Sequence, residues 1–526
     1  MKILISDSMA MEGVELIRQT GVIEADNRPG LPPDELLRII GDYDGLIIRS
    51  ATKVTAEVIE SAGKLKVVGR GGIGLDNVDI PAATKKGVVV MNTPEGNAVT
   101  TAEHAISMLL ALSRNIPQAT ASMKNGKWEK KKFQGKEVFN KTLGVVGLGK
   151  IGSIVANRAL GLKMRVIASD PYLKPESAAS MGLQLVTMDQ LLQESDYVTL
   201  HVPRTPQTVN LIDREALSKM KPGAMIINCA RGGIVNEEAL IEALRSGRLR
   251  GAALDVFVAE PPVGSPLLDL ENVICTPHLG ASTEEAQRNV SIGIAEQMVD
   301  YLINGTVKNA VNVPSVSGEL LAKIKPYVDL CEKLGRVLSA LAPGALSTVE
   351  ITYRGKVSEM QKDPLTTAVL MGLLFPRLRG AVNFVNAPVI AKERGIDVIE
   401  KRSDTAEDFL DLITVRVEED GNQHLVAGTL FGKKEPRLVR IDGFTLEADP
   451  QGHLLFIKSH DSPGVIGRIG TYLGNHSVNI NNIHVSQDLV QRMNVILIQT
   501  NRSLNGEILE GLKALEDVVT ALTMEL

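Results

Sequence analysis

The sequence predicts an α/β protein built from two doubly wound parallel sheets and followed by two smaller α+β units. Three observations predict it. Short apolar runs alternate with helical stretches up to about Asn304, the pattern of strands joined by crossover helices. A glycine triplet, Gly147, Gly149 and Gly152, breaks an apolar run and opens a helix after one such series is already complete. Near Asn312 the alternation lapses, and the apolar runs beyond it are spaced for local, hairpin-like pairing.

Taken in order, the first sheet is expected to use residues 3–5, 45–48, 66–69 and 88–91. A helical stretch over 97–114 then carries the chain to the second sheet. That sheet takes 143–146, 165–169, 197–202, 225–228, 251–254 and 272–276. A second long helical stretch, 283–304, returns the chain to the first domain, leaving a cleft between the two. After a linker at 312–317, strands are expected at 348–352 and 437–441, with a hairpin of 412–417 and 425–430 around Asp420-Gly421. The last unit reads strand 454–458, helix 465–473, strands 480–485 and 495–499, helix 506–515 and strand 518–523. The expected domains are therefore 1–97 with 285–312, 98–284, 316–449 and 453–526.

The spacing Gly147, Gly149, Gly152 is a dinucleotide-binding pattern: a tight turn, room for a pyrophosphate, then close helix–strand packing. The next apolar strand ends in Asp170, at the distance where a carboxylate can bond the adenosine ribose hydroxyls. That carboxylate repels a 2′-phosphate and no arginine follows it directly, so NAD is expected rather than NADP.

Composition narrows the partners. At 526 residues the chain is too long for one core, and 44% hydrophobic with 23% charged residues describes a globular protein. A net charge of -5 gives nucleic acid or a membrane surface nothing to attract it, and no run is long and apolar enough to span a bilayer. The first residues read directly as a strand rather than a signal. Cys229, Cys275 and Cys331 are too scattered for a disulfide framework or a metal site, so a cytoplasmic protein without metal is expected.

Ligands of doubly wound sheets bind at the carboxyl ends of the strands. There the sequence places Arg231 after one strand, Asp255 and Glu260 after the next, and His278 after the last. Singly, each has an ordinary reading: an arginine paired with a surface acid, a glutamate ending a strand, a loop histidine. Together beside a nicotinamide site they suit hydride transfer from an α-hydroxy acid. Arginine grips a carboxylate as a planar fork, histidine exchanges the hydroxyl proton, and a carboxylate on its other nitrogen fixes the tautomer. His104 and His201 are expected to pack or line the cleft, and Cys229 to be a small buried residue.

The runs Gly-Leu-Gly-Lys-Ile-Gly at 147–152, Asn-Cys-Ala-Arg-Gly-Gly at 228–233, Glu-Pro-Pro at 260–262 and Thr-Pro-His-Leu-Gly-Ala-Ser at 276–282 resemble the D-isomer-specific 2-hydroxyacid dehydrogenases. Residues 70–79, 92–94 and 126–129 and the two carboxyl-terminal units narrow the likeness to the family's long form, over essentially the whole chain. The resemblance implies a Rossmann nucleotide domain inserted in a flavodoxin-like substrate domain, then an intervening domain and an ACT domain. It implies oxidation of 3-phosphoglycerate with NAD, Arg231 binding substrate, His278 as acid/base and Glu260 as its partner. Implied cofactor contacts are Ile73, Gly147, Gly149, Lys150, Ile151, Gly152, Asp170, Val202, Cys229, Ala230, Arg231, Asp255, His278, Leu279, Gly280, Ala281 and Ser282. Lys150 stands where arginine is common and Ile73 where threonine is common. Arg49, Ser50 and Arg70 are placed to hold the substrate phosphate, with Lys130, Lys131 and Lys132 of a neighbouring subunit as further cations. In the ACT-like unit, Asp461 and Asn479 match effector positions, which suggests L-serine feedback in a homo-oligomer, dimer or tetramer. Arg377, Arg379, Lys392 and Arg394 suggest an anionic effector of the intervening domain. The alternatives are a glyoxylate or hydroxypyruvate reductase of the same family and a non-catalytic NAD-sensing corepressor.

Overall fold

The computed structural model describes residues 1–313, 318–378, 382–405, 408–488 and 492–526, with the side chains of 318–322 also left undescribed. The first sheet comprises Lys2–Ile5 (β1), Glu24–Asn27 (β2), Gly45–Ile48 (β3), Val67–Arg70 (β4) and Val89–Asn92 (β5), all parallel in the order β2-β1-β3-β4-β5. β3 and β5 are buried along their whole length, as continuous apolar runs covered by helices on both faces must be. Helix Ala98–Arg114 leads to the second sheet.

That sheet comprises Thr142–Val146 (β6), Arg165–Ser169 (β7), Gln184–Leu185 (β8), Tyr197–Leu200 (β9), Ala224–Asn228 (β10), Leu249–Leu254 (β11) and Val273–Cys275 (β12). Its order, β12-β11-β10-β9-β6-β7-β8, reverses direction at β6/β9, the switch point where a doubly wound sheet opens a crevice. Helix Glu284–Asn304 then returns to the first sheet. Its fit is close: a Cβ added to Gly69 would stand 2.7 Å from the Met298 sulfur.

Beyond this, helix Gly318–Leu341 and helix Asp363–Leu374 cross on a mixed sheet. Its strands are Leu346–Gly355 (β13), Asp397–Ser403 (β14), Asp411–Glu419 (β15), Asn422–Phe431 (β16), Glu435–Ile441 (β17) and Phe444–Ala448 (β18), in the order β14-β13-β15-β16-β17-β18. Asp420 and Gly421, with φ of 48° and 83°, form the two-residue left-handed turn that a hairpin needs. The last unit pairs His453–His460 (β19), Ile480–Asp488 (β20), Met493–Thr500 (β21) and Val518–Glu525 (β22) antiparallel in the order β20-β21-β19-β22, with helices Val465–Asn475 and Gly506–Lys513 closing a core of their own.

The sequence pattern misses four strands, β2, β8, β14 and β18, and each lies at a sheet edge. β2, Glu-Ala-Asp-Asn, has no fully buried residue. β2 therefore forms by backbone pairing to an apolar neighbour rather than by burying a face of its own.

Candidate active site

The glycine loop is shaped for a dinucleotide. Gly147 turns with φ of 89°, and a Cβ there would meet the His201 carbonyl at 2.7 Å. A Cβ on Gly152 would lie 2.0 Å from the Gly147 carbonyl oxygen, so this glycine lets the helix Lys150–Gly161 press against the loop. Gly149, the residue that caps that helix, faces open space. Helix-start N–H groups with no side-chain cap and room in front of them fit a pyrophosphate. Asp170 follows β7, and its carboxylate accepts the N–H groups of Leu148 (2.8 Å) and Tyr172 (2.9 Å), which fixes it at the rim of the loop.

Past β12 the chain is held by Asp255. This fully buried carboxylate accepts the N–H groups of Leu279 (2.7 Å) and Gly280 (2.8 Å) and the Thr276 hydroxyl (2.5 Å), and faces His104 Nε2 at 3.2 Å. Burial opposes its charge, but bonds from His104, Thr276 and Leu279 hold it below the usual carboxylate range. The turn so fixed puts His278 in the left-handed region, φ 55°, with its Nδ1 2.7 Å from Glu260 Oε2. Glu260 is itself held, since its Oε1 accepts the Phe257 N–H at 3.1 Å. His201, by contrast, bonds the Thr199 hydroxyl at 2.9 Å, and burial pushes its pKa down to about 4.

Arg231 rides on a turn pinned by Asn228, whose amide donates to the Arg231 carbonyl (3.0 Å) and accepts the Ala230 N–H (3.1 Å). Its guanidinium crosses the cleft, Nε donating to Asp76 Oδ2 at 2.8 Å, while Nη1 donates to the Ala230 carbonyl at 2.6 Å. Cys229 behind it is buried, which raises its thiol well above the ordinary value.

The opposite wall carries Arg49, Ser50 and Arg70, past the ends of β3 and at the end of β4. Asp7 builds this wall: it accepts the Arg49 N–H (2.6 Å) and the Thr52 hydroxyl (2.7 Å). The Nε atoms of Arg49 and Arg70 are buried without a hydrogen-bond partner among the described residues. Burial, helped by repulsion from Arg231, pushes Arg70 down to about 10. Cations held this way favour an anion between them.

These walls enclose a cleft of about 1030 Å³. All the catalytic, cofactor and substrate residues expected from the sequence line it except Gly147, Gly152, Asp170 and Leu279, which shape or flank the glycine loop and the His278 turn. Within one chain the lysine run does not line it, as expected of cations reaching a neighbouring subunit's cleft, and Lys132 faces Glu271 at 3.7 Å. Sequence reasoning missed Asp76 as Arg231's partner, Asp7, His104 as Asp255's partner, and Glu95, which meets Lys150 Nζ at 2.8 Å. For Asp76 and Asp7 a signal existed: both stand just past the carboxyl ends of strands in the first sheet.

The two effector candidates are not brought together in one chain. Ile480 and His453 both pair with Thr500, whereas His460 and Asp488 both pair with Met493. Asn479 and Asp461 therefore sit at opposite ends of the sheet, roughly 25 Å apart at strand rise. In the intervening unit Arg377 donates to the carbonyls of Ala342 and Gly344, so its guanidinium is engaged; Arg379 lies outside the described residues. Among the described residues no cluster of side chains could hold a metal, and no helix is long and apolar enough to cross a membrane.

Comparison with known proteins agrees with this geometry. Residues 106–280 match the NAD binding domain of D-isomer specific 2-hydroxyacid dehydrogenases, 323–442 the D-3-phosphoglycerate dehydrogenase intervening domain, and 453–517 the ACT domain. A D-3-phosphoglycerate dehydrogenase from Synechocystis is 43% identical, covering 100% of this chain and 95% of the relative. The chain belongs to the D-3-phosphoglycerate dehydrogenase family. A relative of the same name from Methanocaldococcus jannaschii is also 43% identical, over 98% of both chains. Among solved structures, an NAD-dependent formate dehydrogenase from Staphylococcus aureus in complex with NAD superposes with a TM-score of 0.55 at 30% identity, over 60% of this chain and 100% of that one. The family assignment makes the chain an oxidoreductase of the NAD-dependent 2-hydroxyacid dehydrogenases.

Proposed function

We propose that this chain oxidises 3-phospho-D-glycerate to 3-phosphohydroxypyruvate, the entry to L-serine synthesis, with the names of its full-length relatives supplying the substrate class. The observation that carries the reading is a cleft with the His278–Glu260 pair and Arg231 on one wall and two guanidiniums with unbonded Nε atoms on the other. Arg231 holds the substrate carboxylate, and Arg49, Ser50 and Arg70 hold the phosphate at the other end of the three-carbon chain. Glu260 on Nδ1 keeps that nitrogen protonated and leaves Nε2 free to take the 2-hydroxyl proton; it then faces the imidazolium that results. NAD, when bound, would supply the acceptor for the C2 hydride. Gly149 and the helix start at Lys150 and Ile151 would hold its pyrophosphate, and Asp170 its ribose hydroxyls. In the reverse direction His278 returns the proton to the carbonyl oxygen.

The domain division expected from the sequence goes with this reading: residues 98–284 hold NAD, 1–97 with 285–312 hold the phosphate, and 316–449 and 453–526 regulate. L-serine is the effector, bound where Asp461 of one copy meets Asn479 of another. The opposite placement of these residues in one chain supports both a shared site and a homo-oligomer. The exposed side chains of Ile483 and Val485 on the edge strand β20 offer apolar surface for such pairing. The protein works in the cytoplasm, where its three thiols stay reduced.

The test is spectrophotometric: purified chain with phosphohydroxypyruvate and NADH, with and without L-serine. The expected result is NADH oxidation that L-serine depresses. Comparable turnover of glyoxylate or unphosphorylated hydroxypyruvate would overturn the substrate, and activity indifferent to serine would overturn the effector.

A further inference from the structure

We infer that Asp76 is a positioning residue for substrate binding: from the phosphate-binding wall it orients the Arg231 guanidinium, so that the carboxylate grip is completed by both walls of the cleft. The inference rests on Arg231 being the carboxylate-binding arginine.

Three observations carry it. The first is the ion pair itself, Arg231 Nε to Asp76 Oδ2 at 2.8 Å, between residues 155 positions apart in sequence and on opposite walls. With Nε on Asp76 and Nη1 on the Ala230 carbonyl, the guanidinium plane is fixed at two points, leaving Nη2 for a ligand. Secondly, the strand-end loop is cut to receive it. A Cβ on Gly74 would lie 1.8 Å from Arg231 Nη2, so only glycine leaves that slot open, while the loop is tied down by Asn92 to the Ile73 carbonyl (2.6 Å) and by Thr93 to the Gly72 N–H (2.8 Å). Thirdly, Asp76 offsets the repulsion between Arg231 and Arg70, which otherwise pushes two cations apart where one substrate must meet both. The pair is half exposed, 28% for Arg231 and 57% for Asp76, so it adds little to stability; its effect lies in where the guanidinium points.

The experiment measures oxamate, a carboxylate beside a carbonyl that cannot be reduced, binding to the full chain saturated with NADH, by NADH fluorescence. Parent, Asp76→Ala, Asp76→Asn and Arg231→Gln are compared, with the KM and kcat for phosphohydroxypyruvate measured alongside. Asp76→Ala is expected to weaken oxamate about tenfold and to raise KM by a similar factor with a smaller fall in kcat, while NADH binding is unchanged. Asp76→Asn keeps an oxygen for Nε and is expected to lose about threefold. Oxamate binding equal to or tighter than the parent's in Asp76→Ala, with Arg231→Gln weakened, overturns the inference alone. Undiminished binding in Arg231→Gln overturns the reading of Arg231 and the inference with it.

Discussion

On the nucleotide side of the cleft the ionisable groups already have partners within the chain: His278 with Glu260, Asp255 with the turn it holds, Arg231 with Asp76. On the opposite side Arg49 and Arg70 keep buried Nε atoms unbonded, and burial holds the charge of Arg70 at a cost. The difference follows from what each wall has to do. A proton carrier must hold its orientation before substrate arrives, which calls for a bonded, pre-ordered histidine. A site for a doubly charged phosphate gains affinity by leaving its cations to be satisfied by the ligand. Proton transfer therefore belongs to one wall and selection for the phosphate to the other.

The sharpest way to break that division is through the histidines. His278→Ala is expected to lower kcat by about 10²–10⁴-fold, the usual worth of a positioned acid/base, with NADH affinity unchanged in a fluorescence titration. His201→Gln, removing a histidine held neutral down to about 4, should leave kcat close to the parent's; a loss equal to that of His278→Ala would mean that His278 is not the one proton carrier. The opposite wall gives the next effect. Arg70→Gln is expected to lower kcat/KM for phosphohydroxypyruvate by roughly 10–100-fold, the loss of a charged hydrogen bond of about 1.5–3 kcal/mol, while hydroxypyruvate kinetics stay unchanged. Asp170→Ala should weaken NAD about tenfold by isothermal titration, with NADP weakened less, since the removed charge opposed its 2′-phosphate.

The smallest effect is on acid stability. His201 is neutral in the fold down to about 4, whereas the unfolded chain binds its proton near the ordinary 6.5. The unfolded state therefore takes up more protons as pH falls through 6.5, and the native state loses up to about 1–2 kcal/mol by pH 5. Urea midpoints at pH 7 and pH 5 check this: the drop should be smaller in His201→Gln than in the parent.

Much of this was legible in the sequence because parallel strands write themselves as unbroken apolar runs and their carboxyl ends are where ligands bind. The runs 225–228 and 251–254 locate Arg231 and Asp255 from that rule without any coordinates. What was illegible has two causes. Edge strands such as β2 and β14 are polar, so nothing in their residues separates them from loop. Arg231 with Asp76, 155 residues apart, depends on how the two walls meet, and His104 with Asp255, 151 apart, on how a helix packs beside the second sheet; no local pattern encodes either. Charge clustered in sequence does not by itself say what a side chain meets: Arg377 caps the carbonyls of Ala342 and Gly344.

The separation of proton transfer from selection for the phosphate is tested most directly by single-turnover hydride transfer, followed by NADH absorbance in stopped flow at saturating phosphohydroxypyruvate, in Arg70→Gln and His278→Ala. A rate constant within about threefold of the parent is expected for Arg70→Gln, because uniform binding cancels at saturation, and a fall of at least about 100-fold for His278→Ala. Equal slowing of both variants, or parental transfer in His278→Ala, would contradict it.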